Sequence, residues 1–365
     1  TFTVTDNDGK TVEGITIYSG ETALGVTDEN GTLSYTYDAG ESGRKTVYAK
    51  NDEGRSWNIG FAVNVPLTDN DGAPYGVQNN AIANADTNQS ITWFSAIGGK
   101  AEADSIVRLS LKADMTDAKT IEGSNSFRTF DRDTEGSAAR LNKVVLTELS
   151  PATTYYYQVG DGEKWSETLS FTTASGDSKA ATNFFVFADI QSSNTANLNA
   201  AIQNITGSEL AYSFGVQTGD AIDNVQNYTA YWRPYLTEMN GAALAGINMI
   251  HVLGNHEYYG DIKGETTKAV FDLPESAQGS YYSFEYGNVY VGVINNGGSV
   301  TAAVEEMKAD AAKSDCAWKA IVLHEPIYGT ESTMADETRL AVTKAMEDAG
   351  IDVVFSGDDH AYART

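Results

Sequence analysis

From residue 181 onward, short apolar runs alternate with amphipathic stretches. NFFVFAD, YSFGVQTGD, INMIHVLGN, VYVGVINN, WKAIVLHEP and IDVVFSGDD each contain a run of strand length, apolar enough to be buried on both faces. Between them, TANLNAAIQNITG, VQNYTAYWRPYLTEMN, TAAVEEMKADAAK and DETRLAVTKAMEDAG place apolar residues at the helical period. This alternation predicts an α/β domain over 181–365 with a central, largely parallel sheet. Ligands of such sheets gather at the carboxyl ends of the strands.

The first half has a different rhythm. In 1–66, TVEGITIYSG, GTLSYTYDAG, RKTVYAKND and WNIGFAVNV alternate with period two, and DNDGK, DENGT and AGESGR separate them as turns. Asn30–Gly31 is a hairpin signal. A small all-β module of immunoglobulin-like or transthyretin-like type is expected there. A polar joint, LTDNDGAPY, follows at 67–75, and its TDNDG repeats residues 5–9. Over 76–175, QSITWFSA, SIVRLSL, KVVLTEL, TTYYYQVG and ETLSFTT predict a second all-β domain at sandwich spacing.

A chain of 365 residues accommodates these three domains. A net charge of −26 argues against non-specific nucleic-acid binding and against docking on anionic lipid, both of which need a basic surface. It fits an exported protein kept soluble by like charge. No apolar run is long enough to span a bilayer. Cys316 is the only cysteine, so neither an internal disulfide nor a cysteine-type zinc site is expected.

The candidate chemistry stands just past the apolar runs. Asp189 and Gln191 follow the first, Asp220 and Asp223 the second, and Asn255, His256 and Glu257 the third. His324 ends the fifth, and Asp358 and His360 follow the last. A single aspartate at a strand end is ordinarily a cap or turn residue. Five strand ends carrying carboxylate, amide and imidazole together form a donor set for one or two divalent or trivalent metal ions. His251 lies inside its apolar run and is expected in the core.

Gly219-Asp220, GNHE at 254–257, His324 in HEPIYG and the closing GDDHAYART resemble the successive blocks of the calcineurin-like metallophosphoesterases. The chain is most similar to bacterial purple acid phosphatase-like proteins. YYSFEYGNVYVGVINN and ETRLAVTKAMEDAGIDVVFSG resemble parts of the same group. LTELSPATTYYYQVGDGEKWSETLSFTT resembles the end of a fibronectin type III domain, that group's usual N-terminal partner. There the tyrosines of 155–157 would be structural.

The resemblance implies that Asp220 bridges two metals, Asp189 and His360 hold the first, and Asn255 and His324 hold the second. His256 would protonate the leaving oxygen while metal-activated hydroxide attacks a phosphate ester outside the cell. The ester is expected to be a monoester, with a diester as the alternative. Gln191, Asp223 and Glu257 are further candidates as ligands or as supports for them.

Three positions depart from the family pattern. Asp223 stands where purple enzymes carry an iron-bound tyrosinate, so a purple ferric site is not expected. Gln191 replaces a histidine. Asp358 replaces a histidine ligand of the second metal, which shifts preference from zinc toward harder ions such as manganese, magnesium or calcium. Iron, manganese and zinc are the family's own range. The family fold continues beyond its last histidine block, so the chain is read as C-terminally truncated. The competing expectation is a catalytically impaired surface or binding protein that retains the fold, with cell-surface or glycan contact through residues 1–66.

Overall fold

The computed structural model describes residues 1–6, 8–38, 43–52, 54–56, 59–63, 73–95, 104–130, 137–191, 195–239, 244, 246–274, 280–330 and 334–364. Most of the expected joint at 67–75 lies outside the described residues. The chain divides into two compact units. One comprises Thr1–Thr68, Thr129–Ala138 and Gln226–Tyr228; the other comprises Asp69–Arg128, Ala139–Val225 and Thr229–Thr365. Among the described residues, no helix is long and apolar enough to cross a membrane.

In the first unit, Thr22–Val26, Thr16–Ser19, Gly43–Asn51 and Gly54–Arg55 form an antiparallel sheet in that order, and Ile59–Val63 also pairs with Gly43–Asn51. The chain turns at Asn30–Gly31 as expected. Asp28 Oδ1 accepts the backbone N–H of Asn30 at 3.0 Å and of Thr32 at 2.8 Å. The strand that follows differs from the expectation. Thr32–Leu33 pairs with Phe2–Thr3, not with Thr22–Val26, because the N-terminal residues supply a nearer partner: Val4 N–H donates to Gly31 O at 2.9 Å.

The second unit begins with a two-sheet antiparallel sandwich. One sheet holds Lys119–Glu122, Ile106–Ser110, Thr154–Gly160 and Leu169–Thr172 in that order. Val107, Tyr157, Val159 and Phe171 from this sheet pack against Val77, Ile91, Trp93 and Val144 of the other. The tyrosine cluster is structural, as expected. Tyr155 OH accepts the Ser150 N–H at 2.9 Å, and Tyr157 OH accepts from Asn79 Nδ2 at 3.1 Å.

The facing sheet does not stop at the sandwich. Its order continues from Ser137–Leu146, Gln89–Ser95 and Tyr75–Asn80 into Asn248–His251, Phe214–Gln217 and Phe184–Phe187. The last three are parallel to one another. A separate sheet holds Tyr281–Tyr286, Val289–Ile294, Trp318–Leu323 and Val353–Phe355, with the last three again parallel.

The α/β region is therefore built on two facing sheets, and the expectation of one central sheet is corrected. An apolar run buried on both faces does not say what covers each face. Here Val289, Val291 and Val293 meet Phe214, Val216 and Ile250 of the opposite sheet. The alternate residues Tyr290 and Ile294 meet the helices Val300–Ala311 and Asp336–Asp348 through Val304, Met307, Val342 and Met346. The period of two divides each strand between a sheet partner and a helix partner. Residues 225–240, expected as one helix, form a π-helical turn at Tyr228–Trp232 and then the helix Arg233–Met239. Pro234 stands where the π-helical turn passes into that helix, and without an N–H it cannot donate to the carbonyls of the preceding turn.

Candidate metal centre

The parallel strands bring five loops to one place. Asp189, Asp220 and His324 each present a ligand atom within 4.8 Å of the other two. His324 Nε2 lies 3.2 Å from Asp220 Oδ2, 3.1 Å from Asn255 Oδ1 and 3.5 Å from Asp358 Oδ1. His360 Nε2 lies 3.6 Å from Asp189 Oδ1. All six residues expected as ligands thus converge, Asp358 among them. Its backbone N–H donates to Asp189 Oδ1 and Oδ2 at 3.1 Å, which closes the last loop over the first. The neighbouring Asp359 points elsewhere and accepts from Thr330 Oγ1 at 2.8 Å.

The backbone at these positions is unusual. Asp189, Asp220, Asp358 and His360 all have positive φ, at 54°, 55°, 70° and 49°. Left-handed non-glycine residues are uncommon and collect at functional sites, where the surroundings hold them. Glycines make the close approach possible. A Cβ at Gly254 would stand 2.2 Å from Asp220 Oδ1, and one at Gly219 would stand 2.4 Å from His324 Nδ1. This is the physical reason for a glycine before the aspartate in GD and before the asparagine in GNHE.

The donor set fits a cation. His324 Nδ1 is 2.9 Å from Thr218 O, so that nitrogen carries the proton and donates. Nε2 then turns its lone pair toward three oxygens. That arrangement is repulsive unless a proton or a cation lies between them. Burial lowers the His324 pKa, but hydrogen bonding and charge from Asp220 outweigh it and raise the value to about 9. Burial raises the Asp189 pKa, opposed by the charge of His324. Among the described residues, Gln191 Oε1 is buried with no hydrogen-bond partner, a further oxygen available to an ion.

His256 is placed differently. Its Nδ1 lies 2.9 Å from Asp223 O and 3.2 Å from Asp223 Oδ1, so this nitrogen also donates. Nε2 faces the cluster, 3.3 Å from Gln191 Nε2 and 3.7 Å from Asp220 Oδ2. Asp223 holds the imidazole and is itself hydrogen-bonded by Tyr231.

Glu257 faces away from the cluster. Fully buried, it accepts the backbone N–H of Asp220 at 2.9 Å, Gly254 at 2.8 Å and Ile222 at 3.3 Å. Burial pushes its pKa up to about 7, against the pull of those backbone donors. It ties the GD loop to the GNHE loop. His251, left out of the expected site, is buried in its strand with its ring stacked on Phe271.

Sequence reasoning missed three contributors. Thr218 acts through its carbonyl, which no side-chain pattern reveals. Tyr231 sits in the segment expected to be uniformly helical. Tyr259, whose ring packs beside that of His256, comes two residues after the GNHE block, and that position was the available signal.

Comparison with known proteins gives the same outline. Residues 182–362 match the family model for the calcineurin-like phosphoesterases, and residues 74–173 match that for the purple acid phosphatase N-terminal domain. Purple acid phosphatase 23 of Arabidopsis thaliana is 26% identical over 264 residues, covering 61% of this chain and 57% of the relative. Acid phosphatase type 7 of Danio rerio is 25% identical over 217 residues, covering 59% of this chain and 45% of the relative. The chain thus spans about half the length of these curated relatives. Among solved structures, purple acid phosphatase PPD1 from yellow lupin (Lupinus luteus) seeds superposes with a TM-score of 0.64 at 16% identity, covering 86% of this chain and 63% of that one. PhoD superposes with a TM-score of 0.54 at 12% identity, covering 80% of this chain and 73% of that one. At these identities the superpositions speak for the fold.

Proposed function

Since this chain belongs to the calcineurin-like phosphoesterases, with a purple acid phosphatase N-terminal domain ahead of the phosphoesterase domain, we propose that it hydrolyses a phosphate monoester outside the cell. The observation that carries the reading is the set of three oxygens around His324 Nε2. In this proposal Asp189 and His360 hold one ion, Asn255, His324 and Asp358 a second, and Asp220 both. Bound there, the two ions would supply charge stabilisation for the phosphoryl oxygens and a nucleophile at neutral pH.

The chain's own residues supply the rest. His256, with Nδ1–H directed at Asp223, presents Nε2 to the cluster. In this role it would give a proton from that atom to the leaving oxygen, while Asp223 fixes the direction in which the ring presents Nε2. Gln191 Nε2 beside His256 Nε2 limits where the ring can turn. Manganese or another hard ion is proposed at the Asp358 side, since a carboxylate has taken the place of an imidazole. For residues 1–66 a cell-surface or glycan contact is proposed.

The impaired-enzyme reading rests on Asp358 in place of histidine. The 3.5 Å approach of its carboxylate to His324 Nε2 weighs against it. The deciding experiment is metal content together with hydrolysis of an aryl phosphate, with manganese, zinc, iron and calcium added separately. Turnover that disappears on chelation and returns with one ion is expected. No turnover with any ion overturns the proposal.

A further inference from the structure

Tyr259 has no part in the ligand set, yet it is held in place beside it. It follows the short 3-10 turn His256–Tyr258, and its backbone N–H donates to His256 O at 3.0 Å. Its ring centroid lies 4.4 Å from that of His256, with the planes inclined by 48°. Its hydroxyl lies 3.2 Å from Asn255 Nδ2. The residue nonetheless remains 46% exposed. An exposed tyrosine without such ties samples several rotamers. This one is fixed at its tip by a hydroxyl contact and along one flank by an imidazole, while the rest of the ring stands open to solvent.

The position gives the ring a direction. His256 Nε2 is the atom proposed to meet the leaving oxygen, so whatever that oxygen carries must lie near the His256 ring. Tyr259 offers an aromatic surface at that place. Ile262, three residues further along the chain, is 89% exposed, so this segment presents apolar as well as polar groups to solvent. Ordering such a ring before substrate arrives removes part of the entropic cost of packing a planar group on it.

We infer that Tyr259 determines specificity by stacking the leaving group, and that the preferred substrates are phosphate esters of planar aromatic or heteroaromatic alcohols. The hydroxyl has a separate part. Through Asn255 Nδ2 it keeps Asn255 Oδ1 turned toward His324, where that oxygen lies 3.1 Å from Nε2. The inference rests on the phosphoesterase reading for its direction, but its test does not need turnover.

Phenylphosphonate and methylphosphonate differ only in the planar group. Their binding to the metal-loaded protein is measured by calorimetry for wild type, Tyr259→Phe and Tyr259→Ala. Comparing the Phe and Ala variants isolates the ring, because both lack the hydroxyl. Phenylphosphonate is expected to bind about 3- to 10-fold more weakly to Tyr259→Ala than to Tyr259→Phe, the range of an aromatic contact. Methylphosphonate should differ less than about twofold between them. Phenyl phosphate and glycerol 2-phosphate turnover should separate in the same sense. Equal loss for both phosphonates, no loss for either, or no binding of either by wild type overturns the inference. A wild-type protein that binds them with the expected difference but turns over no ester overturns the phosphatase proposal alone.

Discussion

The floor and the closing loop of the site are made of the same kinds of residue under different support. On the floor, Asp220 and His324 are almost wholly buried, with side chains 3% and 0% exposed. Their orientation is imposed from behind, by Thr218 O on His324 and by the His256 N–H on Asp220 Oδ1 at 3.0 Å. Glu257 fixes the backbone beneath them. In the closing loop, Asp358 and His360 are 25% and 57% exposed, and the anchor is the backbone N–H of Asp358 on Asp189. A ligand held by the fold keeps its place without an ion, whereas one held by a loop gains much of its order from the ion. The floor should therefore fail steeply when altered, and the loop gradually.

The steepest test is Asp220→Asn. The amide keeps the shape and removes the charge placed between both proposed ions. Metal content measured by mass spectrometry and aryl-phosphate turnover should both fall by more than about 100-fold, beyond what loss of an outer partner costs. Retention of two ions per chain would remove Asp220 from the floor. Glu257→Gln comes next. A glutamine places an N–H₂ against backbone N–H groups that now have a carboxylate, and each unpaired buried donor costs about 1–3 kcal/mol. A lower Tm and about 100-fold weaker metal binding are expected. Unchanged metal affinity would mean that the floor does not depend on its backbone tie.

What the sequence disclosed follows the same division. The strand ends were legible because run length and polarity at 189, 220, 255, 324 and 358 survive without coordinates. The supports were not. Thr218 contributes a carbonyl, Glu257 accepts from backbone N–H groups behind the cluster, and aspartate is merely enriched at positive φ, so residue type alone does not mark it at Asp189 and Asp220. Apolar patterning revealed that Phe214–Gln217, Asn248–His251 and Val289–Ile294 are buried on both faces, but it misled for Val353–Phe355, an edge strand whose Val353 and Val354 are 40% and 36% exposed. It could not reveal that one face meets a second sheet, because a valine packs equally well against a strand or a helix. The pairing of Thr32–Leu33 with Phe2–Thr3 was hidden for a related reason: turn chemistry fixes the bend but not which strand end arrives first.

A third test lies behind the floor. His251 is buried in the strand leading to the GNHE loop, and burial lowers its pKa to about 3. Its folded value is thus below its unfolded value of about 6.5, so the unfolded chain binds the extra proton. This contribution is neutral above pH 6.5 and destabilises progressively as pH falls from there toward 3. At pH 5 it amounts to about 2 kcal/mol. His251→Phe, which keeps a ring against Phe271, should flatten the fall in Tm between pH 7 and pH 5. A variant as acid-sensitive as wild type would place the sensitivity elsewhere, the carboxylates of the closing loop included.

The gentlest test is at Asp358. Substitution there must respect the backbone, since φ is 70°. Alanine would combine loss of the carboxylate with left-handed strain, and the two costs could not be separated. Asparagine tolerates that region and removes only the charge. Asp358→Asn should weaken metal binding by about tenfold, at the low end for a residue supporting a metal site, and leave Tm nearly unchanged. Histidine also tolerates positive φ, so Asp358→His restores the family's residue at little conformational cost. Imidazole in place of carboxylate should then move preference from manganese toward zinc. The measurement is turnover and bound metal for both variants in each ion. If Asp358→Asn loses as much as Asp220→Asn, the closing loop is as tightly determined as the floor and the contrast between them fails. If Asp358→His gains turnover with every ion alike, the aspartate is a decayed histidine site and not a ligand tuned for harder ions.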